Sequence, residues 1–280
     1  MSFLIVTPAR DEATRLPVLA ASLCRQAEGI VGLWVVVDDG SSDGTATCLP
    51  ELPFPVTVVP RANSGGLAGG SAFAAWRFGA EYGLERCDRP ERIMKLDADV
   101  VLDDGHLAAL RGRPEGLVAG VVRGPREAHR SDYTRGPLKA YSPAAYSVVR
   151  ELPTAVGFDV MDEVAVRRSG LGVAVVPEAV ADVTRVTGSS EGLLRGRVRG
   201  GLVSRWTGYS APYFALRLLR TAGRRPYVIG SVAMLLGYLR AGAGPWPADL
   251  KAALRREQRA RLRAVLRSPA AQLASYRAPS

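Results

Sequence analysis

The feature that most constrains this chain is an alternation of short apolar runs with amphipathic helical patterns. The runs are Phe3–Val6, Leu33–Val37, "VTVVP" and "RIMKLDADVV", and the helical patterns between them are "TRLPVLAASLCRQA" and "SAFAAWRFGAEYG". Strands that alternate with helices in this way are typical of a parallel sheet with helices on both faces. We therefore expect an α/β fold whose Rossmann-like, mostly parallel sheet carries functional side chains at the carboxyl ends of its strands.

Charge divides the chain into two parts. Residues 1–184 carry 19 Lys and Arg against 24 Asp and Glu, whereas residues 185–280 carry 18 against 3, a net charge of +15. We expect a folded acidic body over 1–184 and a basic, helical C-terminal region over 185–280. A basic region of this kind favours an anionic partner, either nucleic acid or a membrane surface.

Two segments of the basic region have patterns of their own. Pro226–Leu239 is uncharged for 14 residues, which is fewer than the roughly 20 that a membrane-spanning helix needs. It is therefore either a core helix or an interfacial segment. Residues 250–267, "LKAALRREQRARLRAVLR", form a predicted helix with apolar residues among many arginines, the pattern of a helix that lies on a membrane.

The first residues and the cysteines bear on location. The opening "MSFLIVTPARDE" is too short an apolar run for a signal peptide and is a predicted strand. Cys24, Cys48 and Cys87 lack CxxC spacing, so we expect them to be buried and unpaired, not a disulfide or zinc framework. These observations predict a cytoplasmic protein.

The stretch "KLDADVVLDDG", residues 95–105, places two carboxylates at the end of a predicted strand. In a continuous strand Asp97 and Asp99 would point the same way and repel each other. A divalent cation bound together with a phosphate-bearing substrate would explain the pair, because hard cations such as Mg²⁺ and Mn²⁺ take oxygen ligands. Acidic residues also follow the second strand, at Asp38 and Asp39.

Four motifs in this order, "TPARDE", "VVVDDGSSDGT", "NSGGLAGG" and "KLDADV", make residues 3–185 resemble the family 2 glycosyltransferases of the GT-A fold. The resemblance implies that residues 1–105 bind a nucleotide-sugar, with a UDP-sugar favoured, and that residues 106–184 hold the acceptor. It also implies a Mn²⁺ or Mg²⁺ ion bound by Asp97 and Asp99.

The resemblance assigns the donor site motif by motif. Residues after the first strand would lie along the nucleoside, Asp38 and Asp39 would meet the base, and the glycine-rich loop Asn63–Gly70 would lie beside the diphosphate. The implied nucleotide-sugar-binding residues are Thr7, Pro8, Ala9, Glu12, Asp38, Asp39, Asn63, Gly66, Lys95, Asp97, Ala98 and Asp99.

The resemblance also implies a catalytic base at the start of a helix, eleven residues before a glycine. Counting back from Gly170 gives Asp159, and Asp162, one helical turn further on, is the second candidate. Two positions depart from the family pattern: Phe158 replaces an acidic residue, and Val183 stands where a metal-binding histidine is common. The two histidines of the chain, at 106 and 129, match no ligand position.

Three arginines in "LLRGRVRGG", Arg195, Arg197 and Arg199, form a third candidate group. We expect a flexible, glycine-flanked segment in which they either bind the leaving diphosphate or a lipid-phosphate acceptor, since guanidinium groups suit phosphate, or form a solvated basic face.

The resemblance implies an inverting glycosyltransferase that acts on a polysaccharide or lipid-linked glycan acceptor. We expect it to be peripheral to the inner face of the plasma membrane and not to bind nucleic acid. One alternative is a nucleotidyltransferase, which would need a glycine-rich loop after the first strand, whereas "TPARDEATRLP" has no glycine. The others are a non-catalytic relative and a nucleic-acid binder, for which the basic region has few aromatic residues to stack on bases.

Overall fold

The structure, a computed structural model, describes residues 2–62, 71–124, 134–185, 192–223 and 225–267. Within these ranges the strands are β1 (Phe3–Ala9), β2 (Val31–Asp38), β3 (Val56–Pro60), β4 (Arg92–Leu96), β5 (Val100–Leu102), β6 (Leu117–Arg123), β7 (Leu138–Tyr141) and β8 (Val173–Val183). The helices are α1 (Leu16–Cys24), α2 (Ser71–Leu84), α3 (His106–Leu110), α4 (Pro143–Val149), α5 (Phe158–Arg168), α6 (Leu193–Trp206), α7 (Ala211–Ala222), α8 (Tyr227–Arg240) and α9 (Ala248–Arg267), and a 3₁₀ turn covers Thr45–Thr47.

All of these strands lie in one sheet, in the order β3-β2-β1-β4-β7-β6-β8-β5. Strands β3, β2, β1 and β4 are mutually parallel, as are β6 and β8, while β7 is antiparallel to both of its neighbours and β5 is antiparallel to β8. The predicted α/β class, with a mostly parallel sheet and a helical C-terminal region, is confirmed.

The sheet is covered on both faces. In β1, Leu4 and Val6 belong to the hydrophobic cluster under α2, α4, α5 and α9, whereas Phe3 and Ile5 belong to the cluster under α1 and α3. Because both faces are buried, the central strands are continuous apolar runs without polar alternation. For this reason the first strands could be identified from the sequence.

The sequence pattern was less informative after residue 105, where the structure has α3, β6, β7 and a long β8. The predicted fourth strand is wrong as a single element, because it stops at Leu96 and resumes as β5 after a turn. Of the cysteines, all free, Cys87 is buried as expected but Cys24 is exposed.

Helices of the C-terminal region pack closely through glycines. A Cβ atom on Gly201 of α6 would collide with the carbonyl of Met234, and one on Gly237 of α8 would collide with the carbonyl of Val198. Neither helix can therefore turn about its axis without breaking the contact. None of the helices within the described ranges combines the length and the apolar character that crossing a membrane requires.

The first half of helix α9 packs against the folded body. Leu250, Ala253 and Leu254 are buried in the same cluster as Phe158 of α5. Glu257 forms an ion pair with Arg167 of α5 at 2.8 Å. The apolar residues in the first half of this helix are therefore used for packing inside the protein.

We predict opposite stability changes for two glycine-to-alanine substitutions within helices. A Cβ at Gly79 of α2 would lie 2.5 Å from Val37 Cγ2 and 2.6 Å from Val6 Cγ1, whereas one at Gly196 of α6 meets nothing within 4 Å. Gly79→Ala should lower the free energy of unfolding by about 1–3 kcal/mol through overpacking. Gly196→Ala should raise it by up to about 1 kcal/mol through helix propensity. Urea unfolding of both variants checks this, and equal shifts would contradict the packing described.

His106 should make stability depend on pH. Its ring is fully buried, Nδ1 lies 2.8 Å from the carbonyl oxygen of Val180, and Nε2 has no partner among the described residues. Burial lowers the pKa of His106 to about 4, despite the opposing hydrogen bond to Val180. The unfolded chain, in which an ordinary histidine has a pKa near 6.5, binds the proton first as the pH falls.

The histidine's contribution is therefore complete above pH 6.5 and is lost as the pH falls toward 4. Between pH 7 and pH 5 the free energy of unfolding of the native protein should fall by about 2 kcal/mol more than that of His106→Asn. Urea unfolding of both proteins at both pH values measures the two changes in unfolding free energy to be compared. Parallel pH profiles for the two proteins would show that His106 is not the titrating group.

Candidate functional site

The carboxyl ends of three neighbouring parallel strands bring the acidic motifs together. In the register of the sheet Ala9 of β1 pairs with Asp38 of β2, and Val6 pairs with Lys95 of β4. The polar residues that follow β1, β2 and β4 therefore share one edge of the sheet, as expected for a ligand site in an open α/β sheet.

The loops after β1 and β2 are bound to each other. Asp11 Oδ1 accepts from the backbone N–H of Ser42 at 2.8 Å, and the backbone N–H of Glu12 donates to Thr45 Oγ1 at 2.8 Å. The Thr7 hydroxyl is buried and accepts from Trp34 Nε1 at 2.9 Å. Much of the "TPARDE" and "DDGSSDGT" motifs thus serves to position these loops, and the Thr7 side chain faces the core.

The two aspartates after β2 have different partners. Asp38 is half-buried, and its Oδ1 accepts from the backbone N–H of Ser41 at 2.9 Å. Asp39 is buried, forms an ion pair with Arg61, and accepts from Ser71 Oγ at 2.5 Å. Arg61 was missed in the sequence, although a cation at the end of β3 beside an acidic strand end was a usable signal.

The Asp97–Asp99 segment is a tight turn and not part of a strand. The backbone N–H of Val100 donates to the Asp97 carbonyl at 3.2 Å, and β5 begins at Val100. Lys95, which is 5% exposed, forms an ion pair with Asp97 and donates to the Gly136 carbonyl at 2.9 Å. Lys95 therefore supplies a positive partner for Asp97 from within the chain.

Burial is the largest influence on the pKa values at this turn, and neighbouring cations oppose it at both aspartates. Burial raises the pKa of Asp97 to about 6, although Lys95 opposes the shift, and the nearby Asp99 adds to it. The pKa of Asp99 is also raised by burial, against the attraction of Arg185. Burial alone would lower the pKa of Lys95, but the surrounding carboxylates outweigh it and the pKa is raised.

Asp159 lies beside this group. A Cβ on Gly136 would be 2.7 Å from Asp159 Oδ2, so the carboxylate rests against the bare backbone of Gly136. The same Gly136 carbonyl accepts from Lys95. Asp159 is in the first turn of α5, where the helix N-terminus favours an anion, and it is exposed. The fold thus brings together Lys95, Asp97 and Asp159 from distant parts of the sequence.

Asp162 has a different environment from Asp159. Its side chain is fully buried, and both carboxylate oxygens accept from Lys139 Nζ, at 2.9 and 2.7 Å. Tyr141 OH donates to Oδ2 at 2.6 Å, and the backbone N–H of Glu163 donates to Oδ1 at 2.7 Å. Lys139 also donates to the Asp159 carbonyl at 2.7 Å. Asp162 therefore has no exposed oxygen and holds α5 against β7.

Residues on both sides of the boundary at 184/185 contact the acidic turn and the loop after β1. Thr184 donates to the carbonyl of Asp99 through its backbone N–H at 2.9 Å and its hydroxyl at 3.1 Å. Arg185 forms an ion pair with Glu12 at 2.7 Å, and Arg15 pairs with the same carboxylate at 2.8 Å. Glu12 is therefore a buried anchor for two arginines. Neither Thr184 nor Arg185 stood out in the sequence.

A cleft opens next to the acidic turn. A cavity of about 230 Å³ is lined by Arg15, Val18, Ala98, Asp99, Val100, Val101 and Thr184. It gives solvent access to one side of Asp99.

The donor set at the turn fits a hard divalent cation in part. Asp97 and Asp99 offer carboxylate oxygens, and their mutual repulsion is what a cation would relieve. Within the part of the chain that the structure describes, no group of three or more His, Cys, Asp or Glu side chains could hold a metal ion. The two aspartates could therefore hold such an ion only with substrate oxygens or water as further ligands.

Two further groups of predicted residues are the three arginines and the glycine-rich loop. Arg195, Arg197 and Arg199 lie in helix α6, so the expected flexible segment is wrong for them. Because 100° separates successive residues of a helix, Arg195 and Arg199 share a face and Arg197 lies on another, where its guanidinium donates to the Arg225 carbonyl at 3.1 Å. Asn63 and Gly66 lie outside the described residues.

Comparison with known proteins gives one family match and one partial relative. The model of the family described as Glycosyl transferase family 2 matches residues 4–171. A 4,4'-diaponeurosporenoate glycosyltransferase from Staphylococcus haemolyticus is 33% identical over 105 residues, which are 38% of this chain and 26% of that relative. The match therefore spans about a quarter of the relative's length.

Two solved structures share the fold. The mannosyltransferase PcManGT from Pyrobaculum calidifontis, in complex with GDP-Man and Mn²⁺, is 19% identical with a TM-score of 0.54, over 98% of this chain and 78% of its own. The glucosyl-3-phosphoglycerate synthase from Mycobacterium tuberculosis, with Mn²⁺, UDP and phosphoglyceric acid, is 17% identical with a TM-score of 0.51, over 72% and 78%. Since the family model matches well over half of the residues, this chain belongs to glycosyltransferase family 2.

Proposed function

We propose that the protein is an inverting glycosyltransferase that moves a sugar from a nucleotide-diphosphate donor, with UDP favoured, to a hydroxyl of a polysaccharide or lipid-linked glycan. The observation that carries the proposal is the exposed carboxylate of Asp159 beside the Asp97–Asp99 turn. An acceptor bound over Asp159 and a donor bound at the turn would meet at the same edge of the sheet. Family membership supports the use of a nucleotide-sugar.

Asp159 is proposed as the general base. Inverting transfer needs a carboxylate that takes the proton of the acceptor hydroxyl as its oxygen attacks the anomeric carbon. Asp159 is exposed, and it lies against Gly136, where a side chain would displace it. Asp162 is the less suitable candidate, because Lys139 and Tyr141 occupy its oxygens inside the protein.

Asp97 and Asp99 are proposed to hold Mn²⁺ or Mg²⁺ together with the donor diphosphate. When bound, such an ion supplies positive charge that offsets the charge gathering on the departing diphosphate. Lys95 keeps Asp97 oriented through their ion pair, and Thr184 fixes the backbone of Asp99. These contacts hold the turn in place before any ligand binds.

Uracil is the favoured donor base, and guanine is the alternative. The solved structures that share the fold contain GDP-Man or UDP. Asp38 could accept from the N3–H of uracil, since only one of its oxygens is bonded to Ser41 among the described contacts. Asp39 is less available because Arg61 and Ser71 already bind it.

We also propose that the enzyme works on the cytoplasmic face of the membrane as a peripheral protein. The net charge of +15 over residues 185–280 supports attraction to anionic lipid. The sugar-phosphate nucleotidyltransferase is a less favoured alternative, because the loop after β1 has no glycine.

Nucleotide binding should depend on metal and on Asp99. We expect calorimetric titration of native protein with UDP and GDP to show binding of one nucleotide in Mn²⁺ and its loss with chelator. Asp99→Asn should weaken that binding roughly tenfold or more, because a metal ligand is lost. Asp104→Asn is the matched control, since Asp104 lies in the same acidic stretch but pairs with Arg25 at 2.9 Å. Equal binding in chelator would contradict the role given to the turn.

Asp159→Asn should separate donor binding from transfer. The variant should bind nucleotide with native affinity, whereas its turnover with a hydroxyl acceptor should fall by about 10²–10⁴-fold, the usual contribution of general base catalysis. Calorimetry and a nucleotide-release assay measure the two quantities.

Asp162→Asn should instead destabilise the protein. Removing this charge leaves the ammonium group of Lys139 buried without its ion-pair partner, which typically costs about 3–5 kcal/mol of unfolding free energy. Urea unfolding checks the value. If folded Asp162→Asn lost turnover while Asp159→Asn kept it, the assignment of the base would be wrong.

A further inference from the structure

Helix α8 exposes a continuous apolar face. Six of its large apolar residues are exposed, at the spacing i, i+1, i+4, i+7, i+8 and i+11, which places them on one side of a helix. They are Val228, Ile229, Val232, Leu235, Leu236 and Leu239, with Ile229 66% and Leu239 68% exposed. Residues of this kind at this spacing are normally packed against a core, so their exposure calls for an explanation.

The orientation of this face is fixed by the opposite side of the helix. Gly237 and Met234 of α8 are buried against α6, with no room for a Cβ on Gly237. Ser231 donates to the Leu218 carbonyl of α7 at 2.8 Å, and Phe214 stacks on Tyr238 with ring centroids 4.2 Å apart. The helix is thus held from two sides, and its apolar face cannot rotate inward.

The helices that pack against α8 also expose large apolar side chains. Leu193, Leu194 and Val198 of α6, and Leu216 and Leu219 of α7, are also exposed. Of the fourteen exposed large apolar side chains in the described part of the chain, twelve lie between residues 193 and 239. A concentration of this kind marks an interaction surface, whereas scattered apolar residues do not.

The charge of the same region identifies the partner. Residues 192–248 contain nine arginines and no Asp, Glu or Lys. On the flank of α8, Arg205 lies over the ring of Tyr238 at 5.3 Å from its centroid, beside a cavity of about 220 Å³ that Lys251 and Arg255 also line. A second copy of the chain would bring like charges together, whereas an anionic surface would complement them.

We propose that α6, α7 and α8 form a membrane-docking surface, with the apolar face of α8 inserted at the boundary between headgroups and acyl chains of an anionic bilayer. The helix lies in the plane of the membrane and does not cross it, since its 14 residues are too few. The arginines around it contact lipid phosphates. This inference rests on the peripheral location proposed above and is independent of the donor chemistry.

The surface also corrects which helix faces the membrane. The sequence favoured the basic helix at residues 250–267 for that role and left Pro226–Leu239 between core and interface. The structure buries Leu250 and Leu254 of α9 but exposes α8. The exposed apolar side chains therefore favour α8, the uncharged helix, as the one that faces the membrane.

Vesicle flotation with the full chain tests the proposal. The probes are vesicles of phosphatidylcholine alone and vesicles with phosphatidylglycerol added. Native protein should float with the anionic vesicles, and its binding should weaken with salt. Ile229→Gln and Leu239→Gln should each weaken binding by about tenfold, because each removes one large apolar side chain from the lipid. Phe78→Gln is the matched control, since Phe78 is 44% exposed but lies on α2.

The outcomes show whether lipid or a second copy of the chain covers the apolar face of α8. Native binding by Ile229→Gln and Leu239→Gln, or no flotation of native protein, would overturn the proposal. So would a lipid-free dimer in sedimentation equilibrium that both substitutions dissociate, because a second copy would then cover the face. Calorimetric nucleotide binding by the same variants should be native. If vesicle binding fails while nucleotide binding persists, only the docking surface is wrong; the reverse pattern leaves docking intact and refutes the donor site.

Discussion

Repulsion among carboxylates gathered at one edge of the sheet is the constraint on which the rest of this structure depends. Asp39, Asp97 and Asp162 each have a cation as a direct partner, respectively Arg61, Lys95 and Lys139. Burial makes an unpaired charge costly, so each of these cations is required for its carboxylate to remain in place. Asp159, in contrast, is exposed. The proposed base is thus exposed, next to carboxylates that are paired with cations.

Helix α5 connects the chemistry to the packing. Its first turn carries Asp159, its buried side carries Asp162, and its last turns receive α9 through the Arg167–Glu257 ion pair. Gly157, with φ of 90°, precedes it, and a Cβ there would lie 2.6 Å from Thr207 Cγ2. The position of the proposed base therefore depends on contacts from both β7 and the C-terminal helices.

The sequence revealed those parts of the fold whose pattern is local. Strands β1, β2 and β3 contain apolar runs that the sequence displays. The acidic residues at the ends of β2 and β4 could be assigned to strand ends because they come directly after such runs. Strand β7 was missed because its four residues include Lys139, whose charge is acceptable inside only through Asp162, 23 positions away. The same holds for Arg185, whose partner Glu12 is 173 positions away. Long-range ion pairs of this kind have no signature in a single sequence.

The boundary that charge suggests at residue 185 is not a boundary in the packing. Thr184 and Arg185 bind Asp99 and Glu12, and Leu254 of α9 is buried in the cluster that contains Phe158 of α5. Removing the basic region would therefore expose apolar side chains and disturb the acidic turn together with any membrane contact. The solvent-facing residues of α8 are different, because their side chains are exposed while the helix is fixed from its other sides. They are the place where the proposed membrane attachment can be tested without moving Asp99 or Asp159.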